Sequence, residues 1–391
     1  MTAHVVFFLL VVFALLGDAR IFLFIINRVV FGSHRHEKNP WKPLLYIVPP
    51  ILLFLTALFW PVHQWITWLT EQPTTTLAKV GALWLVIAAS VGMYWIIDRA
   101  RLNANPERVR GVRRNPSDII RLRKAHMPIA VLRRLGAHND VYDIEVTHND
   151  VFIDDLDSAF EGYRIAFLTD THVAGFVRRT FYREIVAQVS RFDPDLILLG
   201  GDFVTWRRHI PLMADVLLTD LTARDGVLAV LGNHDYWAHG EEVKGAMSAR
   251  GVEFIINRSH LIRRDGVELP VIGIDEIYRG EPDVVAAFAG VKPGPRIGVT
   301  HHPDAIDILD GQRIDLLLCG HTHGGQIRFP FFGAVVVPSM HESRYADGFH
   351  RVGGVLMYVS RGIGAIPPVR ILCRPEVATF TLRKGTRSTS L

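Results

Sequence analysis

The sequence predicts an α/β layered domain preceded by a membrane-type helical region, and two patterns carry that expectation. From Tyr163 onward, short apolar runs alternate with amphipathic stretches, as strands and helices do when they build a layered sheet protein. The first hundred residues are instead dominated by long apolar stretches. A third observation ties the domain to chemistry: five short motifs rich in Asp, Asn and His each begin where an apolar run ends.

The apolar N-terminal part divides into three stretches. Val5 to Ile26 is apolar apart from Asp18 and Arg20, and is long enough to cross a bilayer as one helix. An Asp and an Arg inside such a stretch are costly in lipid, so they should face neighbouring helices or mark a break. Leu44 to Trp60 forms a second span, flanked by Trp41, Trp65 and Trp68, and Val80 to Ile97 a third. The N-terminus lacks a basic leader region and a clear cleavage site, which makes a removable signal peptide the weaker reading. Residues 1–98 are therefore expected to hold about three transmembrane helices. Residues 99–159 read as a basic juxtamembrane linker and lead-in, 160–383 as the catalytic domain and 384–391 as a polar tail.

Charge gives the expected orientation. The chain of 391 residues has a net charge of +4, and its Arg residues crowd the stretch after the third span, from Arg99 to Arg134. The loop after the first span also carries Arg35, Lys38 and Lys42, whereas Val62 to Ala78 carries no basic residue. The positive-inside tendency puts the first loop and everything after Ile97 in the cytoplasm of a multi-pass cell-membrane protein. Beside a membrane span, a basic cluster reads first as a topology determinant and a contact for anionic lipid head groups. Nucleic-acid binding is the weaker reading. Cys319 and Cys373 sit in apolar runs and offer no disulfide framework.

Within the soluble part, Tyr163–Thr169, Leu196–Gly200, Val227–Leu231, Val271–Ile274, Ile297–Thr300, Ile314–Cys319 and Val355–Ser360 read as strands buried on both faces. Phe181, Ile185, Val186, Val189 and Phe192 recur at helical spacing before Asp193-Pro194 stops the helix. Leu212, Val216, Leu217 and Leu221 do the same before Asp225-Gly226.

The five motifs are Asp170-Thr171-His172, Gly201-Asp202, Gly232-Asn233-His234-Asp235, His301-His302-Pro303 and Gly320-His321-Thr322-His323-Gly324-Gly325. Ligands of open α/β sheets gather outside the carboxyl ends of the strands, so motifs distant in sequence can converge. A collection of Asp, Asn and His suits borderline divalent ions such as Mn²⁺, Fe²⁺ or Zn²⁺ better than Ca²⁺, which prefers oxygen alone. Each motif alone is weak, since Gly, Asn and Asp also favour plain turns. All five together, in this order, resemble the calcineurin-like metallophosphoesterase family over roughly residues 160 to 383.

That resemblance implies an α-β-β-α sandwich of two sheets and a centre of two divalent metal ions. Carried over position by position, it gives one ion to Asp170, His172 and His323 and the other to Asn233, His301 and His321, with Asp202 bridging both. His302 is the alternative to His301. His234 resembles the family's catalytic histidine, placed to protonate the leaving oxygen, and Asp235 is expected to orient its imidazole. Thr171 replaces the bulky aliphatic residue common at its position. Gln326, Arg361, Tyr236 and Trp237 are candidates for the pocket wall. The implied activity is hydrolysis of a phosphodiester, pyrophosphate or phosphomonoester by metal-activated hydroxide. A membrane anchor makes a lipid-linked phosphoester an attractive substrate; soluble nucleotides, or a non-catalytic metal-binding scaffold, are the rivals.

Overall fold

The structure, a computed structural model, describes residues 2–26, 76–104, 111–122 and 138–385, apart from 175, 176, 310, 331 and 335. The expected second span, Leu44 to Trp60, and the tail beyond 385 lie outside the described residues. The chain forms two units, Met1–Pro106 with Pro330–Val336, and Glu107–Phe329 with Val337–Leu391.

The first unit contains α1 (Thr2–Ile26) and α2 (Thr76–Ala104). The two helices approach at backbone distance: a Cβ on Gly17 would stand 1.8 Å from the Ala88 carbonyl oxygen, and one on Gly92 2.1 Å from that of Phe13. Only glycine fits at either crossing point, the arrangement that lets helices pack without large side chains between them. Val11, Ala14, Leu85, Ala88 and Ala89 fill the contact. Asp18 is 2% exposed and accepts a hydrogen bond from the Trp84 indole at 3.2 Å, so it faces the neighbouring helix as a buried carboxyl must. Side chains are described for 9–21 of α1 and 83–97 of α2, and among the described residues no helix is long and apolar enough to cross a membrane.

The second unit is built on two sheets. The first contains β1 (Val112–Arg121), β2 (Asp143–Ile153), β3 (Arg164–Leu168), β4 (Leu196–Leu199), β5 (Val227–Ala229), β6 (Val252–Phe254) and the last strand, β13 (Glu376–Lys384). Their order is β1-β2-β13-β3-β4-β5-β6, with β3 to β6 parallel. The second contains β7 (Arg258–Arg264), β8 (Val267–Gly273), β9 (Ile297–Val299), β10 (Leu316–Cys319), β11 (Gly348–Val352) and β12 (Val355–Val359), ordered β11-β12-β10-β9-β8-β7. Here β8, β9, β10 and β12 run parallel.

Packing makes four layers. Ile165, Phe167, Leu196, Leu198 and Phe380 of the first sheet meet Val271, Ile297, Leu316, Leu318 and Tyr358 of the second in a shared core. The other face of the first sheet, with Ala166, Leu168, Ile197 and Leu199, is covered by α3 (Arg179–Phe192), α4 (Ile210–Leu217) and α6 (Gly240–Ser248). The other face of the second, with Ile272, Leu317 and Met357, is covered by short helical turns carrying Ala287, Ile306 and Leu309. Strands buried on both faces need continuous apolar runs, which is why each run read from the sequence corresponds to one of them.

The stretch expected as a linker and lead-in supplies two strands of the first sheet. β1 is an edge strand, exposed along most of its length, so it carries no apolar run to announce it. Its basic side chains have structural partners: Arg113 binds the buried carboxylate of Asp150 on β2, at 2.9 Å from Nε. A register shift at Pro116-Ser117 accommodates a residue that cannot donate to the ladder.

Leu198, fully buried between the sheets, provides a test of the shared core. Leu198→Ala should cost about 3 kcal/mol, the usual penalty for such a cavity, read as a lower denaturant midpoint with unchanged slope. A loss under about 1 kcal/mol would mean that the sheets do not close on this side chain.

Candidate metal centre

Every residue expected at the centre stands just past the end of a strand: Asp170 and His172 after β3, Asp202 after β4, Asn233 after β5, His301 after β9, and His321 and His323 after β10. The chain must turn abruptly there to bring side chains back over the sheet edge. Asp170, His172, Asp202, His321 and His323 accordingly have positive φ, between 42° and 70°. Such conformations cost non-glycine residues about 1–3 kcal/mol each and persist where the surroundings over-determine them. Those surroundings are visible: the Asp170 amide donates to the Gly201 carbonyl (2.9 Å), that of His172 to Asp202 (3.0 Å), and that of Gly320 to His301 (2.8 Å).

The structure brings the expected ligands together in two overlapping groups. Donor atoms of Asp170, His172 and His323 lie within 4.8 Å of one another, and so do those of Asp202, His301 and His321. Asp202 joins them: its Oδ2 is 3.4 Å from Nε2 of both His172 and His301. His172 and His323 bring their Nε2 atoms to 3.1 Å, and His301 Nε2 stands 3.1 Å from His321 Nδ1. The main-chain N–H of His321 donates to Asp170, and that of His234 to Asp202 Oδ1 at 2.8 Å.

Donor chemistry fits divalent metal ions. Burial pushes the imidazoles of His172 and His323 down to about 3 and holds that of His321 well below its ordinary range, so each is the neutral base that ligation requires. Burial alone would lower His301, but the Asp202 and Asp170 carboxylates beside it raise it to about 10. The same pairing holds Asp202 well below the carboxylate range against the effect of burial. The Asn233 carboxamide oxygen and the His172 Nδ1 are buried without a hydrogen-bond partner among the described residues. An acceptor left unpaired in such a place is costly unless a cation takes it.

Between His301 and His302 the structure distinguishes clearly. His301 fixes its Nδ1 on the Gly200 carbonyl at 2.8 Å and turns Nε2 to the centre. His302 accepts the Asp304 amide at Nδ1 (3.1 Å) and stacks on His321 with ring centroids 3.9 Å apart. His234 stands beside the first group, its ring edge-on to His172 at 4.7 Å and to the half-exposed Trp237 at 4.5 Å.

Asp235 does not orient that imidazole. Its carboxylate is fully buried and accepts the main-chain N–H groups of Asp202 (2.7 Å), Phe203 (2.8 Å) and Gly232 (2.9 Å). The reason is local: as third residue of the turn α5 (Asn233–Trp237), it closes a capping box on Gly232 and reaches the Asp202 turn from beneath. Two residues considered for the pocket wall are also tied elsewhere. Arg361 is ion-paired with Glu145 (3.2 Å) and Glu376 (3.4 Å), and Gln326 donates to the Pro367 carbonyl. Thr171 donates its hydroxyl to the Phe203 carbonyl at 2.9 Å, joining the first two motif loops.

Two buried charges near the centre escaped the motif reading, Glu276 and Arg370. Glu276 follows the apolar run Val271–Ile274, so the strand-end rule could have found it; Arg370, in an irregular loop, carries no comparable signal.

These roles separate by substitution. Asp202→Asn should empty both metal positions and abolish the rate together, since one carboxylate serves both groups; metal analysis finding both ions bound would contradict the bridge. Asp235→Ala should mainly lower stability, by about 1–3 kcal/mol for each buried N–H left unpaired. Thermal melting alongside an unchanged leaving-group dependence of the residual rate would check it.

Comparison with known proteins agrees with this geometry. The family model described as calcineurin-like phosphoesterase matches residues 163–325. The chain is 30% identical to the uncharacterized metallophosphoesterase YkuE of Bacillus subtilis, over 61% of its own length and 86% of that protein's. It is likewise 30% identical to the phosphodiesterase YaeI of Escherichia coli, over 56% of its length and 82% of the relative's. A zebrafish transmembrane protein with a metallophosphoesterase domain is 29% identical over 66% of this chain and 61% of that protein. Five strand-end motifs that converge on one dinuclear donor set, together with relatives matched over most of their length, show that the chain belongs to the calcineurin-like phosphoesterase family of metal-dependent phosphoester hydrolases.

Proposed function

We propose that the protein is a membrane-anchored phosphodiesterase whose catalytic unit faces the cytoplasm and cleaves a phosphodiester or pyrophosphate bond in a lipid-linked substrate. The observation that carries the hydrolytic part is the placement of His234 within 4.8 Å of His172 and Asp202, beside a full set of metal-binding side chains. Two divalent ions in such a site polarise a phosphoryl group and make hydroxide available at neutral pH. The chain's own residues do the rest. Asp202 spans the two donor groups, Asn233 offers an unpartnered oxygen, and His234 supplies the proton that a poor leaving oxygen needs.

Diester chemistry is favoured by the relative named as a phosphodiesterase, and anchoring by the apolar N-terminal stretches, the basic residues that follow Ile97 and the relative named as a transmembrane protein. Membrane lipids are then the immediate surroundings of the substrate. The local Arg excess favours an anionic head group there.

Three measurements test the reading. Metal-stripped protein should be inactive and recover with Mn²⁺; full hydrolysis by a verified metal-free sample rules out metal-supplied hydroxide. Against Mn²⁺-loaded protein in detergent, phosphodiesters and pyrophosphates on lipid should be turned over faster than soluble nucleotides or phosphomonoesters; preference for a soluble nucleotide removes the lipid assignment. A reporter fused after Leu391 should be active only in the cytoplasm, and activity outside it reverses the topology.

His234→Asn should lower turnover by about 10²–10⁴-fold while both metals stay bound, with a smaller defect on nitrophenyl esters, whose anion leaves readily. His323→Asn should instead release metal and impair every substrate alike. An equal defect of His234→Asn on good and poor leaving groups would remove the general-acid role.

A further inference from the structure

The two halves of the centre have different buried charges behind them. Behind the Asp170–His172–His323 half lies Arg370, fully buried. Its guanidinium donates to the carbonyls of Arg361 (2.8 Å), Gly362 (3.2 Å) and Gly364 (3.1 Å), and its Nη2 is 3.4 Å from the outer ring nitrogen of His323. Its remaining contacts are the carbonyls of His323 and Cys373 and the Cys373 sulfur. Carbonyl dipoles solvate the guanidinium without neutralising it, so a full positive charge stands against this half. Its field acts on His323 and reaches Asp170.

Behind the Asn233–His301–His321 half lies a buried carboxyl instead. Glu276 is fully buried; its Oε2 accepts the amides of Tyr278 (3.0 Å) and Arg279, while its Oε1 has no hydrogen-bond partner among the described residues. Register fixes its height. Gly273 pairs with Val299 on the neighbouring parallel strand and the Ile274 amide donates to the Val299 carbonyl, so Glu276 stands level with His301 at the same sheet edge. Its charge acts on His301.

We infer that Arg370 and Glu276 make the two metal positions unequal, so that a divalent cation fills the Asn233–His301–His321 half first and the Asp170–His172–His323 half second and more weakly. A fixed cation repels an incoming cation and a buried carboxylate attracts it, and both effects are large where water is excluded. The second ion is also the more electrophilic, because less negative charge surrounds it. This inference rests on the metal-centre reading above, but concerns the order and strength of binding rather than hydrolysis.

The test is a titration of metal-stripped full-length protein in detergent with Cd²⁺, followed by calorimetry and by NMR of the imidazole nitrogens. It is run at pH 8, above the value of about 7 to which burial pushes the Glu276 carboxyl. Two binding steps are expected, with the nitrogens of His301 and His321 shifting in the first and those of His172 and His323 in the second. Glu276→Gln should weaken the first step, and Arg370→Gln, which can still donate to carbonyls, should tighten the second, each by about tenfold or more.

Simultaneous shifts, or the reverse order, overturn the inference. So does a second step weakened by Arg370→Gln, which would reduce Arg370 to a staple of the loops it binds. If Arg370→Gln fails to fold, the wild-type order together with Glu276→Gln decides. A protein that binds no Cd²⁺ would instead fail the metal-centre reading itself.

Discussion

The Asp202 carboxylate is where the two sheets meet chemically. One oxygen accepts the amide of His234, from the loop after β5, and the other faces His172 after β3 and His301 after β9. Residues from both sheets therefore converge on a single buried acid, and the position of one sheet against the other is expressed in the spacing of its neighbours. The apolar core between the sheets sets this separation to the nearest side chain; the carboxylate and its partners set the rest.

Holding that carboxylate requires unusual backbone, and a second acid supplies the compensation. Asp202 sits in the left-handed region, and its own amide, with those of Phe203 and Gly232, ends on Asp235. Three buried N–H groups satisfied by one carboxylate give charge-assisted hydrogen bonds, each stronger than a neutral one. The strain of the turn is offset next door. Burial still pushes the Asp235 carboxyl up to about 7, with the nearby Asp202 charge adding to the effect.

How much of this was legible in the sequence depended on whether a residue announced itself by pattern. The buried parallel strands did, because burial on both faces demands unbroken apolar runs, and the motif residues did, because each stands where such a run ends. β1 did not: an edge strand has no buried face to write into its composition. Asp235 was recognised as part of its motif but given the wrong partner, since adjacency in sequence suggested His234 while the turn points its side chain to the amides beneath Asp202. Arg361 was placed near the site, yet its ion pairs with Glu145 and Glu376 join segments more than 200 residues apart, which no local pattern reveals. Arg370 was invisible for the same reason, its partners being carbonyls that any sequence would supply.

The order of strands in the first sheet also constrains how the chain is made. β13, residues Glu376–Lys384, lies between β2 and β3, pairing parallel with one and antiparallel with the other. During synthesis, β2 and β3 emerge long before the strand that separates them. Until the last residues leave the ribosome, each presents an unpaired edge on an apolar sheet, the form most prone to pair with another chain. A nascent chain stalled before Glu376 would carry every metal-binding side chain and still lack the strand that lets their sheet close.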